Sequence, residues 1–155
     1  MFRENISKPE VKINITVKNK GNKMSKPYGQ EDATYQAAGE YEGIKKLVDD
    51  FYDIMSELKA SQHIREMHPE NLEESRDKLT RFLCAWTGGP RLYREKYGPI
   101  SIPQAHSHLT IGSAERDAWL LCMKQALAKQ DYPQDFQDYM ITQLAVPAGR
   151  CMNAE

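Results

Sequence analysis

A chain of 155 residues, 40% hydrophobic and 28% charged, with a formal net charge of -1, has the size and balance of one soluble domain. Its near-neutral balance argues against nucleic-acid or anionic-membrane binding, since both need a concentrated basic face, and no apolar run approaches the ~20 residues of a membrane span. The first residues lack the apolar region of a secretion signal, and Cys84, Cys122 and Cys151 are odd in number with no metal-site spacing, so a reduced, cytoplasmic setting is expected and the Asn14-Ile15-Thr16 triplet reads as coincidental.

Residues 1–31 are rich in Lys and Asn and alternate Val11, Ile13, Ile15 and Val17 against Lys12, Asn14, Thr16 and Lys18. That is the period of a strand, but a strand without a partner is marginal in water. The stretch reads as an N-terminal extension, flexible or a lone strand, and residues 32–155 as the folded domain. From Asp32 onward the pattern is helical throughout. Gly39 and Gly43 flank a short first element over 33–38. Ile44, Leu47, Val48, Phe51, Tyr52, Met55 and Leu58 then form one uninterrupted helical stripe, with Lys45, Lys46, Asp49, Asp50 and Asp53 mostly opposite. A turn of helix around His63–Met67 stops at His68-Pro69. Asn71 caps the next helix, Glu73 and Glu74 suit its positive end, and Gly88 terminates it after Leu72, Leu79, Phe82, Leu83 and Trp86.

A basic loop with Tyr93 and Tyr97 runs from Arg91 to Pro99. Pro103 and Gly112 then bracket a stretch able to hold only a short helical piece, and it carries His106 and His108. Ser113 caps a helix with Glu115 in its first turn. Residues Ala118 to Met123 of that helix are apolar on nearly every side, which predicts central burial. The last helix starts at Pro133, turns Phe136, Tyr139, Met140 and Leu144 inward, and is bent or ended by Pro147 and Gly149.

The chemistry readable from these residues alone is thin. There is no Gly-rich phosphate loop, no zinc-type Cys pair and no nucleophile–base motif. Asp49-Asp50 reads as a solvated helix face. His106 with His108 could bind a transition metal in an extended segment, yet a lone histidine in such a setting is more often a cap or a surface residue. Trp119 and Phe82 read by default as core aromatics. Tyr52 is the exception, because a hydroxyl on a buried stripe must find a partner.

Taken together, Phe51-Tyr52, His68-Pro69, Phe82-Leu83 with Trp86, Gly88-Gly89-Pro90, His106 and Arg116-Asp117-Ala118-Trp119-Leu120 resemble the group II truncated haemoglobins. The resemblance covers residues 35–150 nearly end to end. It implies an all-α truncated globin, with two helices over two around a haem and most of the proximal helix reduced to a loop. By that resemblance the cofactor is haem b, His106 is the proximal iron ligand, and Tyr52 and Trp119 are distal hydrogen-bonding residues. His68 falls where the family has Tyr, Phe or His on the distal side. Ser75, Leu79 and Phe82 match the distal wall, Ile102 a proximal contact, and Lys78 and Tyr93 partners for the haem propionates. Two positions depart from the family pattern: Ala105 stands where Arg often contacts a propionate, and His108 where many members have proline.

Three donors (Tyr52, His68 and Trp119) in an apolar pocket would hold dioxygen tightly, because bound dioxygen carries partial negative charge. The resemblance therefore implies binding of dioxygen, nitric oxide and carbon monoxide, with oxygen or nitric-oxide chemistry or a peroxidase-like reaction favoured over oxygen transport. It also implies a separate reductase, and a monomer or homodimer. The rival reading is a haem-free helical interaction module, or a weak metal-binding protein using His106 and His108.

Overall fold

The computed structural model describes residues 26–154, and the Val11–Val17 alternation lies outside them. The described chain is helical: α1 (Ala33–Ala37), α2 (Glu40–Glu57), α3 (Gln62–Arg65, entered through a 3-10 turn at Lys59–Ser61), α4 (Glu73–Trp86), α5 (Leu92–Tyr97), α6 (Ile102–Ala105), α7 (Ser113–Ala128) and α8 (Gln134–Arg150). No strand occurs among the described residues. Helix α2 packs against α4, α7 packs against α8, and α2 lies on α7, so two helix pairs face one another.

The stripe expected on α2 organises this arrangement. Ile44, Leu47, Val48, Phe51 and Met55 are fully buried, and they meet Leu83 and Cys84 of α4, Cys122, Met123, Ala126 and Leu127 of α7, and Phe136, Met140 and Leu144 of α8 in one core. The polar side of α2 is not left wholly to solvent. Arg76 of α4 donates to Asp49 Oδ1 at 3.2 Å and to Asp53 Oδ1 at 2.8 Å, a fork that ties the two helices together. Gly43 lies inside α2 rather than at the border of the first element. A side chain there would place its Cβ 2.0 Å from the Ala38 carbonyl oxygen, so glycine is what lets α1 turn tightly into α2. Gly88 ends α4 as expected, with φ +96°, and its missing Cβ admits the Glu31 carbonyl.

Several expected boundaries move, each for a local reason. At α4 the cap position is Leu72 rather than Asn71, but Asn71 still serves the helix start, its Oδ1 accepting the Glu73 N–H at 2.9 Å. At α7 the cap is Gly112 rather than Ser113, and Glu115 reaches back so that Oε1 accepts the Gly112 N–H at 2.7 Å. The loop expected over Arg91–Pro99 contains α5. One and a half turns cannot hold themselves in water, so α5 depends on its contacts with α4. Tyr97 Oη donates to Asp77 at 2.6 Å, and Lys96 and Arg81 also donate to it. Although partial burial opposes this, those hydrogen bonds hold the Asp77 carboxyl down at about 2.

The apolar run of α7 is not buried all round. Ala118, Cys122 and Met123 enter the core, whereas Leu121 is 38% exposed, because neighbours cover only part of the helix circumference. Helix α8 does not stop at Pro147; it continues through Gly149 to Arg150. Gln143, whose carbonyl loses its helical donor at Pro147, is an exposed residue, so water can take that carbonyl. Ahead of α1, Tyr28 packs edge-on against Phe136 at 5.2 Å and donates to Asp135 at 3.2 Å. Burial and the Asp135 carboxylate push its phenol up to about 12.

Candidate functional site

Between α4 and the α6 segment the helix pairs leave a cavity of about 320 Å³. Its lining contains every residue that the resemblance assigned to the haem site: Tyr52, His68, Ser75, Lys78, Leu79, Phe82, Tyr93, Ile102, His106 and Trp119. Helix α2 supplies Tyr52, and the end of the α3 segment supplies His68. One face of α4 supplies Ser75, Lys78, Leu79 and Phe82. The one-turn helix α6 places Ile102 and, directly after it, His106. The i, i+3, i+4 and i+7 spacing of the four α4 residues explains why they share a wall. Leu79, Phe82 and Trp119 are only partly buried because they face this space rather than the packed core.

Both histidines are held in the same way. His106 Nδ1 lies 2.8 Å from the Ile102 carbonyl oxygen, and His68 Nδ1 lies 2.8 Å from that of Ile64. A carbonyl can only accept, so each Nδ1 carries the proton and donates, leaving Nε2 with a free lone pair. At His106 this is the tautomer a metal ligand requires. At His68 it changes the expected count of donors: the neutral ring offers an acceptor at Nε2 and donates there only when protonated.

Tyr52 is 5% exposed, and its hydroxyl has no hydrogen-bond partner among the described residues. Its edge meets the His68 ring at 5.6 Å, Phe51 lies between it and Trp119 with centroids about 5 Å apart, and the Arg76 guanidinium stands 5.8 Å from its face. Burial raises its phenol well above the ordinary range, with Arg76 opposing weakly, so the group stays a protonated donor. An unpaired buried hydroxyl costs about 1–3 kcal/mol. Such an orphan, aimed at an apolar cavity with a ready imidazole lone pair in the same lining, fits a haem with a polar ligand on its iron.

Burial pulls the His68 imidazole below its ordinary 6.5; the Ile64 carbonyl works against this, and Arg65 and His106 add to it. Below pH 6.5 the unfolded chain therefore binds a proton that the folded one resists. The stability from this site is present above 6.5 and is lost as pH falls from there to the depressed folded value. Urea midpoints measured from pH 8 to pH 5 should fall more steeply below 6.5 for the wild type than for His68→Phe. Parallel curves would show that burial of this ring has no such effect.

Lys78 and Tyr93 stand together at the cavity, but each is already engaged. Lys78 pairs with Glu74 at 2.7 Å and lies 5.2 Å from the Tyr97 ring, while Tyr93 packs on Tyr97 at 5.1 Å. His108 is exposed and outside the cavity, and no group of three His, Cys, Asp or Glu side chains able to hold a metal occurs among the described residues. The lining also holds residues that the sequence did not single out. Ala148 and Cys151 continue the inward face of Leu144 past Pro147, a periodicity hidden by the expectation that the helix bends or ends there. Ile64 comes from α3 and Met67 from the turn after it, a single helical turn too short to show a period.

The family model for bacterial-like globins matches residues 33–152. Group 2 truncated hemoglobin YjbI of Bacillus subtilis (strain 168) is 31% identical over 124 residues, covering 79% of this chain and 89% of that protein. Among solved structures, the group II 2-on-2 hemoglobin of Agrobacterium tumefaciens aligns with a TM-score of 0.75 at 30% identity, over 79% of this chain and 95% of its own. The truncated oxygen-avid haemoglobin of Bacillus subtilis aligns with a TM-score of 0.70 at 30% identity, over 77% and 98%. No described helix is long and apolar enough to cross a membrane. The paired helices, the cavity between them and these likenesses agree: the chain belongs to the bacterial-like globins, as a group II truncated haemoglobin, a family that binds haem through its iron and small diatomic gases upon it.

Proposed function

We propose that this cavity holds haem b with His106 as the iron ligand, and that the protein carries out oxygen or nitric-oxide chemistry, or a peroxidase-like reaction, rather than oxygen transport. The observation that carries the reading is the unpartnered Tyr52 hydroxyl, buried in the same lining as the free Nε2 of His106. Haem supplies an iron that binds diatomic ligands and exchanges electrons with them. The protein's part is to orient and to polarise. The Ile102 carbonyl, accepting a hydrogen bond from Nδ1–H of His106, holds the ring's orientation and would raise the basicity of Nε2. Tyr52 and Trp119 donate to a ligand bearing partial negative charge. Leu79 and Phe82 keep water from competing for those donors, and Ile102 packs on the side of His106. Lys78 and Tyr93 serve the propionates, Lys78 by sharing its charge with Glu74.

Strong donors in a dry site slow ligand release, which suits chemistry at the iron and not delivery of oxygen. The oxygen avidity named for the Bacillus subtilis relative points the same way. A separate reductase returns the iron to the ferrous state. The test is a ligand series on the reduced protein, with dioxygen, carbon monoxide, nitric oxide and sulfide followed by absorbance, together with nitric-oxide consumption and peroxide turnover. Dioxygen release as fast as in an oxygen carrier, with neither reaction detectable, would refute the proposal.

We further propose that residues 32–155 form the haem domain and residues 1–31 an extension to it. Deleting residues 1–23 should leave haem content and ligand rates nearly unchanged. A large fall in melting temperature, or loss of a dimer, would make those residues structural.

A further inference from the structure

His106 stands at the end of a single helical turn, followed by a loop that supplies little regular hydrogen bonding of its own. What holds that loop comes from the far end of the chain. Asn153, just beyond α8, places Nδ2 2.7 Å from the Leu109 carbonyl oxygen and 3.5 Å from that of His106. Its Oδ1 accepts the Ile111 N–H at 2.8 Å. Its own backbone N–H donates to the Ile111 carbonyl at 2.8 Å, and that of Ala154 donates to the same oxygen at 3.0 Å. The carboxamide is used at both ends, donor toward the start of the loop and acceptor toward its end. Pro147, Ala148 and Cys151, on the final turns of α8 leading into this clamp, line the same cavity as His106.

We propose that Asn153 is a positioning residue for the iron ligand: by tying residues 106–111 to the end of α8 it sets the orientation of the His106 imidazole and so the strength of its bond to iron. Ile102 orients the ring from within α6, and Asn153 orients the backbone that carries it. The proposal rests on the reading of His106 as the ligand. The amide is required, since an aspartate would keep the acceptor for Ile111 but set a carboxylate oxygen against the Leu109 carbonyl.

The test uses the full-length, haem-loaded ferrous protein, with resonance Raman spectra of the iron–histidine stretch and the rate of haem loss to excess apomyoglobin. Asn153→Ala should lower and broaden the stretch and speed haem loss about ten- to a hundredfold, the range found when a partner that orients a metal ligand is removed. Asn153→Asp should do at least as much, although it nearly preserves size. His106→Ala is the control on which the inference depends. If that variant keeps the stretch, the ligand assignment falls and the clamp with it. If it loses the stretch while Asn153→Ala or Asn153→Asp behaves as wild type, the ligand assignment stands and the clamp is refuted. A lower melting temperature with an unchanged stretch makes Asn153 an ordinary tie for the chain end, and likewise overturns the proposal.

Discussion

Replacing His106 with alanine should abolish stable haem binding, lowering haem retained per chain at least about tenfold, a loss of about 1.4 kcal/mol or more. The reason lies in how few imidazoles can reach the iron. His106 presents Nε2 to the cavity because the Ile102 carbonyl holds Nδ1. His68 is pinned by Ile64 and sits beside Tyr52, a different part of the lining. His108 is two residues along, exposed and outside the cavity, so it cannot substitute. His106 itself belongs to a one-turn helix and its loop, so its loss should leave the core intact and the helical circular dichroism unchanged. Soret absorbance and a haemochrome assay on purified wild type, His106→Ala and His108→Ala give the answer. A normal five-coordinate ferrous spectrum in His106→Ala, with haem lost from His108→Ala, would reverse the assignment.

The second large effect is expected on ligand release. Tyr52→Phe removes one donor and almost no volume; Trp119→Phe removes one donor and also shortens the ring system, so carbon monoxide release is the control for its change in bulk. A hydrogen bond to a partly charged group contributes about 1.5–3 kcal/mol. At ~1.4 kcal/mol per decade, each variant should release dioxygen roughly ten- to a hundredfold faster. Carbon monoxide is much less polar when bound, so its release should change little. His68 adds a donor only when protonated, and burial holds that below its ordinary 6.5, so dioxygen release should be flat in pH from 7 upward. Stopped-flow release rates for both gases measure this. Equal acceleration of the two would mean that Tyr52 and Trp119 act by bulk, not by hydrogen bonding.

The pocket also shows why a helical globin tolerates so little regular structure around its ligand. Helices α2, α4, α7 and α8 bury the large side chains and are rigid for that reason. Helices α5 and α6 bury none fully, and each is held by directed polar contacts: Asp77 for α5, and Asn153 for the loop after α6. Those short elements carry Tyr93, Ile102 and His106, so part of the cavity wall depends on a handful of hydrogen bonds.

What could be read in the sequence alone follows from local physics. The stripe from Ile44 to Leu58 has the period of a helix, and burial of one face is the only arrangement that satisfies it. Asn71 and Gly88 mark the ends of α4 because a side-chain acceptor and a left-handed residue are what helix ends require. Pro103 and Gly112 leave room for one helical turn around His106, and one turn is what forms. The spacing of Ser75, Lys78, Leu79 and Phe82 places them on one wall without reference to any other element.

Other features depended on contacts distant in sequence. Leu92–Tyr97 is too short for its own propensity to hold it helical in water; Asp77, contributed by α4, anchors it through Tyr97 and Lys96. Proline in a helix is judged locally as a bend or an end, yet α8 continues through Pro147, with Met140 and Leu144 buried in the core and only one backbone hydrogen bond given up. The tautomer of His68, and with it the donor count, is set by the Ile64 carbonyl once that turn has formed. Asn153 shows no period, cap or motif, and its role appears only when the end of α8 comes to lie against residues 106–111. Periodicity and capping are properties of neighbours along the chain, legible from the sequence by itself; the partners of a polar group are decided by which distant backbone atoms folding brings within 3 Å of it.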